Sequence, residues 1–269
     1  MTSFQKAIKY LAMGFAIFLT VSIIGGIIAA AVGLFGGFFE GAGVLEDFKT
    51  YAVSDHITEL DIEIAAADFT IVKADSFGVE SNLKHLTVNE KNGILEIKEK
   101  KRIFVANADA ALVLYIPEGT SFDKVEIETG AGRFTVDELV ADELQLELGA
   151  GEVKITSLTA NNKVDIDGGA GRITIDGGSL RNLDLNLGVG QLNLTAEILG
   201  NCDFDLGIGE SNITFIGIQD DYTIHAEKGI GNLTIDGKGV GDFNSIGNGE
   251  NKIDISGGIG AINLVFKEE

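Results

Sequence analysis

From residue 130 onward, aliphatic and polar positions alternate in short blocks that return again and again to one tripeptide, Gly-x-Gly with an apolar middle. The copies are Gly130-Ala131-Gly132, Gly149-Ala150-Gly151, Gly169-Ala170-Gly171, Gly188-Val189-Gly190, Gly207-Ile208-Gly209, Gly229-Ile230-Gly231 and Gly258-Ile259-Gly260. The first five intervals are 19, 20, 19, 19 and 22 residues. Six residues after the first glycine stand Val136, Ile155, Ile175, Leu194, Ile213 and Ile235; one position earlier stand Thr135, Lys154, Thr174, Asn193, Asn212 and Thr234. Period-two alternation of this kind predicts a strand with one buried face. A second strand precedes each following tripeptide, as in Leu183-Asp184-Leu185-Asn186-Leu187 and Cys202-Asp203-Phe204-Asp205-Leu206. Two strands per turn, joined at glycine corners and repeating at a near-constant period, predict an all-β parallel solenoid in which each turn buries its apolar face against its neighbours. A β-sandwich is the alternative for short alternating strands, but it gives no reason for constant spacing. The longer fifth interval and the shorter copies after Gly231 imply a bulge and a degenerate C-terminal cap.

Residues 56 to 128 alternate without the glycines. Asn92-Gly93, between Leu86-Thr87-Val88 and Ile94-Leu95-Glu96-Ile97, predicts a type I′ hairpin. Ala65-Ala66-Ala67-Asp68-Phe69-Thr70-Ile71 reads as a worn first copy of the repeat, with alanines in place of glycines. Residues 56–269 are therefore expected to form one domain, with 40–55 as its tether.

The segment before the tether has a different character. From Tyr10 to Phe39 the chain runs 30 residues without a charge, with Thr20 and Ser22 as its polar positions. At about 1.5 Å per residue such a helix outspans a hydrocarbon core of about 30 Å, which predicts a transmembrane helix over 10–39 with Phe35, Phe38 and Phe39 in the interface. Lys6 and Lys9 precede the span and Glu40, Glu46 and Asp47 follow it, so residues 1–9 are expected in the cytoplasm and the rest outside. A cleaved signal peptide ending near Ala29-Ala30-Ala31 is the rival, disfavoured because the apolar run continues past the alanines. Gly25, Ala29, Gly33 and Gly37 fall at four-residue spacing on one helix face, a pattern that lets two membrane helices approach and suggests dimerisation through the span.

Composition removes several function classes. With 20 basic against 41 acidic residues and no dense basic run beyond Lys98, Lys100, Lys101 and Arg102, a nucleic-acid partner is excluded. One cysteine forms no intramolecular disulfide and no thiolate metal site. Cys202 occupies a slot filled elsewhere by Leu144, Val164 and Leu183, and reads as a buried small hydrophobe. His56, His85 and His225 have no paired metal spacing, and no Ser-His-Asp motif is present. None of the Gly-x-Gly elements continues as Gly-x-Gly-x-x-Gly into a helix, and Gly168-Gly169-Ala170-Gly171 is followed by Arg172-Ile173 rather than the aspartate of a calcium β-roll. Four tyrosines and no tryptophan leave few platforms for sugar stacking in a carbohydrate-active β-helix. No cofactor is expected, and no enzymatic activity.

Charge placement is more informative. The outward positions of the pre-glycine strands carry Gln145 and Glu147, Asp165 and Asp167, Asp184 and Asn186, Asp203 and Asp205, then His225 and Glu227. In a parallel stack the aspartates form ladders at roughly 5 Å, where like charges oppose one another. The plain reading is a solvated face that resists lateral pairing. The sharper one is a weak surface for calcium or a cationic ligand at Asp165, Asp167, Asp184, Asp203 and Asp205. After the glycines, Arg133, Glu152 and Arg172 alternate in sign and would help fix the register.

Leu60-Asp61-Ile62-Glu63-Ile64-Ala65-Ala66-Ala67-Asp68, Leu112-Val113-Leu114-Tyr115-Ile116-Pro117-Glu118-Gly119 and the serial Gly-Ala-Gly strands after Glu126-Ile127-Glu128-Thr129 together resemble the bacterial putative-adhesin family of cell-surface domains, related to the toastrack domains of envelope-stress proteins. The resemblance covers nearly all of residues 56–269. It implies a right-handed parallel β-helix of about 20-residue turns behind a membrane anchor, a bacterial origin, and no catalytic residues. The resulting expectation is a non-enzymatic, single-pass envelope protein at the bacterial cell membrane, its solenoid outside as a scaffold or binding surface for other envelope proteins. An envelope-stress sensor acting through membrane-protein contacts and an adhesin for external surfaces are the alternatives.

Overall fold

The computed structural model describes residues 45, 47–99, 109–241 and 243–268. The expected transmembrane span over 10–39 and its Gly25, Ala29, Gly33 and Gly37 stripe lie outside the described residues. Among the described residues no helix is long and apolar enough to cross a membrane. The strands are β1 (Lys49–Ala52), β2 (Glu59–Ala66), β3 (Asp68–Ala74), β4 (Gly78–Ser81), β5 (Leu86–Lys91), β6 (Ile94–Glu99), β7 (Ala111–Pro117), β8 (Phe122–Ile175), β9 (Gly178–Arg181), β10 (Leu183–Leu199), β11 (Asn201–Ile216), β12 (Tyr222–Glu227), β13 (Ile230–Ile235), β14 (Lys238–Val240), β15 (Phe243–Ile246) and β16 (Asn251–Lys267). Strand β8 runs through more than two turns, because its glycine corners bend the chain without interrupting the ladder.

Parallel pairing of equivalent positions makes the stack. Asp184 lies opposite Asp165 on one side and Asp203 on the other. Gly190 likewise lies between Gly171 and Gly209. Inward positions of the alternation fill the core: Leu183, Leu185, Leu192, Leu194, Cys202, Phe204 and Ile213 are each no more than 2% exposed. Each turn carries the two predicted strands and also a third pairing stretch. Leu158–Ala160 lies against Gly178–Leu180, and Ser179–Arg181 lies against Glu197–Leu199. Its inward residues Leu158, Ala160, Leu180, Ala196 and Ile198 are buried.

The order of turns in space departs from their order in sequence, at both ends. The C-terminal copy is not the predicted cap. Strand β16 lies inside the stack, parallel to β11 on one face (Gly209 opposite Gly260) and to β12 and β13 on the other (Ile230 opposite Ile259). The turn formed by β12 and β13 comes earlier in the chain yet sits outside β16. Skipping one layer adds about 4.8 Å, or roughly one and a half residues of extended chain. The longer interval of 22 residues supplies that reach through the Gln219–Asp221 turn, and is no bulge. At the N-terminal end the worn copy in β2 and β3 is also the second layer. It lies between β8 and an outer turn made by β6 and β7.

Both outer turns are covered by antiparallel strands. Strands β4 and β5 lie on β7 and β6, with β1 beyond β4; β14 and β15 lie on β13 and β12. The sheet therefore begins at Lys49, inside the segment read as a tether. Ending a parallel stack on short antiparallel strands keeps its open edges from templating further chains. The Asn92-Gly93 hairpin joins β5 to β6, with φ of 54° and 84° as a type I′ turn requires. Aromatic side chains gather toward the ends. Phe69 stacks on Phe134 with centroids 4.9 Å apart, and Phe215 stacks on Phe266 at 5.3 Å with Tyr222 against both.

Candidate binding surface at the glycine corner

The corner exists because only glycine fits it. The second glycine of each tripeptide has positive φ, 148° at Gly209, where L side chains are rare. A Cβ on Gly209 would be driven into the carbonyl oxygen of Gly190 in the adjacent turn. The same collision recurs from Gly132, facing Ala67, to Gly231, facing Gly260. Ala65 and Ala67 stand at the corresponding positions of the worn copy, and neither has positive φ. Backbone packed this closely leaves the middle residue of each tripeptide no room inside the stack, so its side chain stands on the corner.

Pairing gives those middle residues the spatial order Ala66, Ala131, Ala150, Ala170, Val189, Ile208, Ile259, Ile230. The result is an apolar ridge, low and flat at the alanine end and raised at the isoleucine end. Val189 is 53% exposed, Ile230 49% and Ile208 36%. The ridge is an apolar strip on the surface of a strongly acidic chain.

Charged columns flank the ridge. On the pre-glycine side, Glu128, Glu147, Asp167, Asn186 and Asp205 line an open groove of about 590 Å³. Beyond it runs the predicted aspartate ladder, in register as Asp165, Asp184, Asp203, Asp254 and His225. Asp254 belongs to this row but was absent from the sequence reading, which set the last copy aside as a cap. Desolvation raises the pKa of the Asp203 carboxyl, and its neighbours Asp254, Asp184 and Asp205 raise it further. Among the described residues no three carboxylate, histidine or cysteine groups converge to hold a metal ion. Toward the N-terminal end lysines relieve the same face. Lys98 lies 2.8 Å from Asp61 and 3.2 Å from Glu96, Lys124 lies 2.6 Å from Glu126, and Lys163 lies 2.7 Å from Asp165.

On the post-glycine side the alternation of sign predicted for Arg133, Glu152 and Arg172 is present and longer than expected. Arg133 reaches Asp68 at 3.3 Å and Glu152 at 3.7 Å, and Arg172 reaches Glu152 at 3.6 Å and Gln191 at 3.1 Å. One column in, Asn212 donates to Asn193 at 3.1 Å, Asn263 donates to Asn212 at 2.9 Å, and Thr234 donates to Asn263 at 2.8 Å. This amide ladder runs unbroken through the inserted strand. Cys202 is buried as expected: Leu183 N–H donates to its Sγ and its thiol donates to the Leu199 carbonyl, both at 3.3 Å.

Solved structures similar to the chain include a "putative cell adhesion protein" from Clostridium sporogenes, at 16% identity over 82% of this chain and 99% of that one, with a TM-score of 0.31. A "putative adhesin" from Parabacteroides distasonis matches at 15% identity over 83% and 98%, with a TM-score of 0.43. A "putative lipid binding protein" from the same species matches at 15% identity over 83% and 98%, with a TM-score of 0.34. No curated protein matches the chain. The model of the Toastrack DUF4097 family matches residues 55–263, from the first strands of the stack into the inserted one, and the chain belongs to that family.

Proposed function

We propose that this chain is a non-enzymatic scaffold of the bacterial cell envelope, a single-pass membrane protein whose extracytoplasmic solenoid binds other envelope components along its glycine corner. The observation that carries the reading is the ridge of exposed Val189, Ile208 and Ile230 with the half-buried Ile259 between the last two, held on backbone that has no freedom to withdraw it. Regularity supports binding over catalysis. The same residue classes recur turn after turn along the corner, whereas catalysis needs unlike groups converging on one point. The uncharged stretch from Tyr10 to Phe39, with lysines before it and acids after it, supports the anchor and its orientation.

The test has two arms. In cells, external protease should digest residues 56–269 of the full chain while a tag at its N-terminus stays protected in the membrane fraction. A photo-reactive residue at Val189 or Ile230 should then give discrete envelope adducts on illumination, and the same residue at Glu197, exposed on the third stretch, should not. A chain recovered soluble, or adducts equal at all three positions, would overturn the reading.

A further inference from the structure

Three features of the inserted strand belong together. Strand β16 is paired along its length on both faces, by β11 and by β12 with β13, yet it enters from outside the layer it splits. Residues 236–250 lead into it and carry Gly237, Gly239, Gly241, Gly247 and Gly249. The groups that bind β16 also belong to the general repeat. They are a glycine corner matched on each side, an amide ladder through Asn212, Asn263 and Thr234, and the Phe215 ring against Phe266.

We infer that the layer between β11 and β12–β13 is a strand-acceptor site that takes residues 251–267 of a second copy of this chain, producing a strand-exchanged dimer. Every hydrogen bond, corner contact and ring stack that β16 makes at home is reproduced when the strand comes from another copy, since the two are the same sequence. Only the cost of bringing two chains together separates the states, which is why exchange of an identical element is a low-cost route to dimers. With an effective local concentration on the order of 1 mM for the tethered strand, roughly one chain in a hundred is exchanged at about 10 μM protein, and the fraction rises with concentration. Two anchors in one membrane hold copies closer than free solution does. The exchange is independent of what the glycine corner binds.

The experiment uses two differently tagged full-length chains, both carrying Cys202→Ala, one with Asn212→Cys and the other with Asn263→Cys. Facing positions on neighbouring strands lie about 4.8 Å apart, within the Cα range a disulfide spans. A single chain with both new cysteines should close an intrachain bridge, which establishes folding and geometry. The mixed chains, unfolded and refolded together and then oxidised, should give a covalent species bearing both tags. Its share should grow about tenfold when refolding concentration is raised tenfold. Asn232→Cys, on β13 opposite Ala261 rather than beside Asn212, replaces Asn263→Cys as the collision control. No two-tag species despite a closed intrachain bridge, or equal yields with the control, overturns the inference.

Discussion

Asn263 donates from its side-chain amide to the Oδ1 of Asn212 at 2.9 Å, although 51 positions separate them. Thr234, which lies between the two in sequence, is on the far side of Asn263, donating to it at 2.8 Å. This contact alone distinguishes the observed layer order from stacking in sequence order, which would put Thr234 against Asn212.

The ladder's contribution can be read from two substitutions. Asn212→Ala removes a donor to Asn193 and an acceptor for Asn263, and should lower stability by about 1 kcal/mol. Asn263→Asp keeps the acceptor for Thr234 but sets carboxylate oxygen against the Oδ1 of Asn212. A charged group facing an acceptor costs more than a missing bond, so about 2 kcal/mol is expected. Urea denaturation at pH 7 should rank wild type above Asn212→Ala above Asn263→Asp. Equal midpoints for wild type and Asn263→Asp would mean that the last copy does not lie on β11.

The glycine corner predicts a graded series. Gly209→Ala adds a methyl group directed at a backbone carbonyl from a residue already at positive φ, and should cost about 3–5 kcal/mol or prevent folding. Gly119→Ala keeps the positive-φ penalty, at 77°, with no atom nearby, and should cost about 1 kcal/mol. At Gly239 neither obstacle exists, and alanine there should be neutral or stabilise by up to about 0.5 kcal/mol. Thermal melts of the three variants test the order. Indifference at Gly209 would show that the corner is less tightly packed than described.

Much of this was legible because the physical demand is local and repeated. A corner that forbids Cβ must be glycine, and it is in each copy from Gly130 onward, so the period appeared in the sequence, as did the inward aliphatic column and the alternating Arg133, Glu152 and Arg172. Layer order was not legible, because a repeat that stacks equally well on either neighbour carries no label saying which it meets. The interval from Gly207 to Gly229 was the available signal, and it reads as a bulge until the skipped layer is known. The third pairing stretch was hidden because its glycine does not recur at a fixed period: Gly178, at positive φ, lies opposite Leu158 rather than opposite another glycine. The ridge was hidden for another reason: an apolar middle residue between glycines looks like core until the corner is seen to push it outward.

The aspartate row should be a net liability at neutral pH. Asp203 has a raised folded-state pKa, so its ionised form is disfavoured in the fold. The penalty is present above that raised value and vanishes as pH falls below the ordinary aspartate range, near 4. Asp203→Asn should therefore stabilise at pH 7 by a few tenths of a kcal/mol, since the site is solvent-exposed, and should lose that advantage below about pH 4. Sodium chloride should narrow the gap between the two proteins by screening. Calcium chloride at equal ionic strength should do no more, because no three ligand groups converge among the described residues. A larger effect of calcium, removed by Asp203→Asn, would instead show the row acting as a cation surface.

Cys202 offers a last test, with the opposite pH sense. Its thiol is 2% exposed, and burial is the main cause pushing its pKa up to about 11. In the unfolded chain the thiol ionises near 8.5, so the fold resists a charge that the unfolded state accepts. Stability contributed by the neutral thiol is fully present below about pH 8.5 and declines as pH rises toward 11, by about 2–3 kcal/mol in all. Cys202→Ala should be less stable than wild type by about 1 kcal/mol at pH 7, having lost sulfur packing and the hydrogen bonds to Leu183 and Leu199. The difference between the two proteins should shrink and then reverse between pH 9 and 11, because the variant has no thiol to ionise. Lysine and tyrosine titration affects both proteins alike, so the comparison isolates the thiol. A constant difference across that range, or rapid labelling of Cys202 by a disulfide reagent in the folded protein at pH 8, would place the sulfur in contact with solvent.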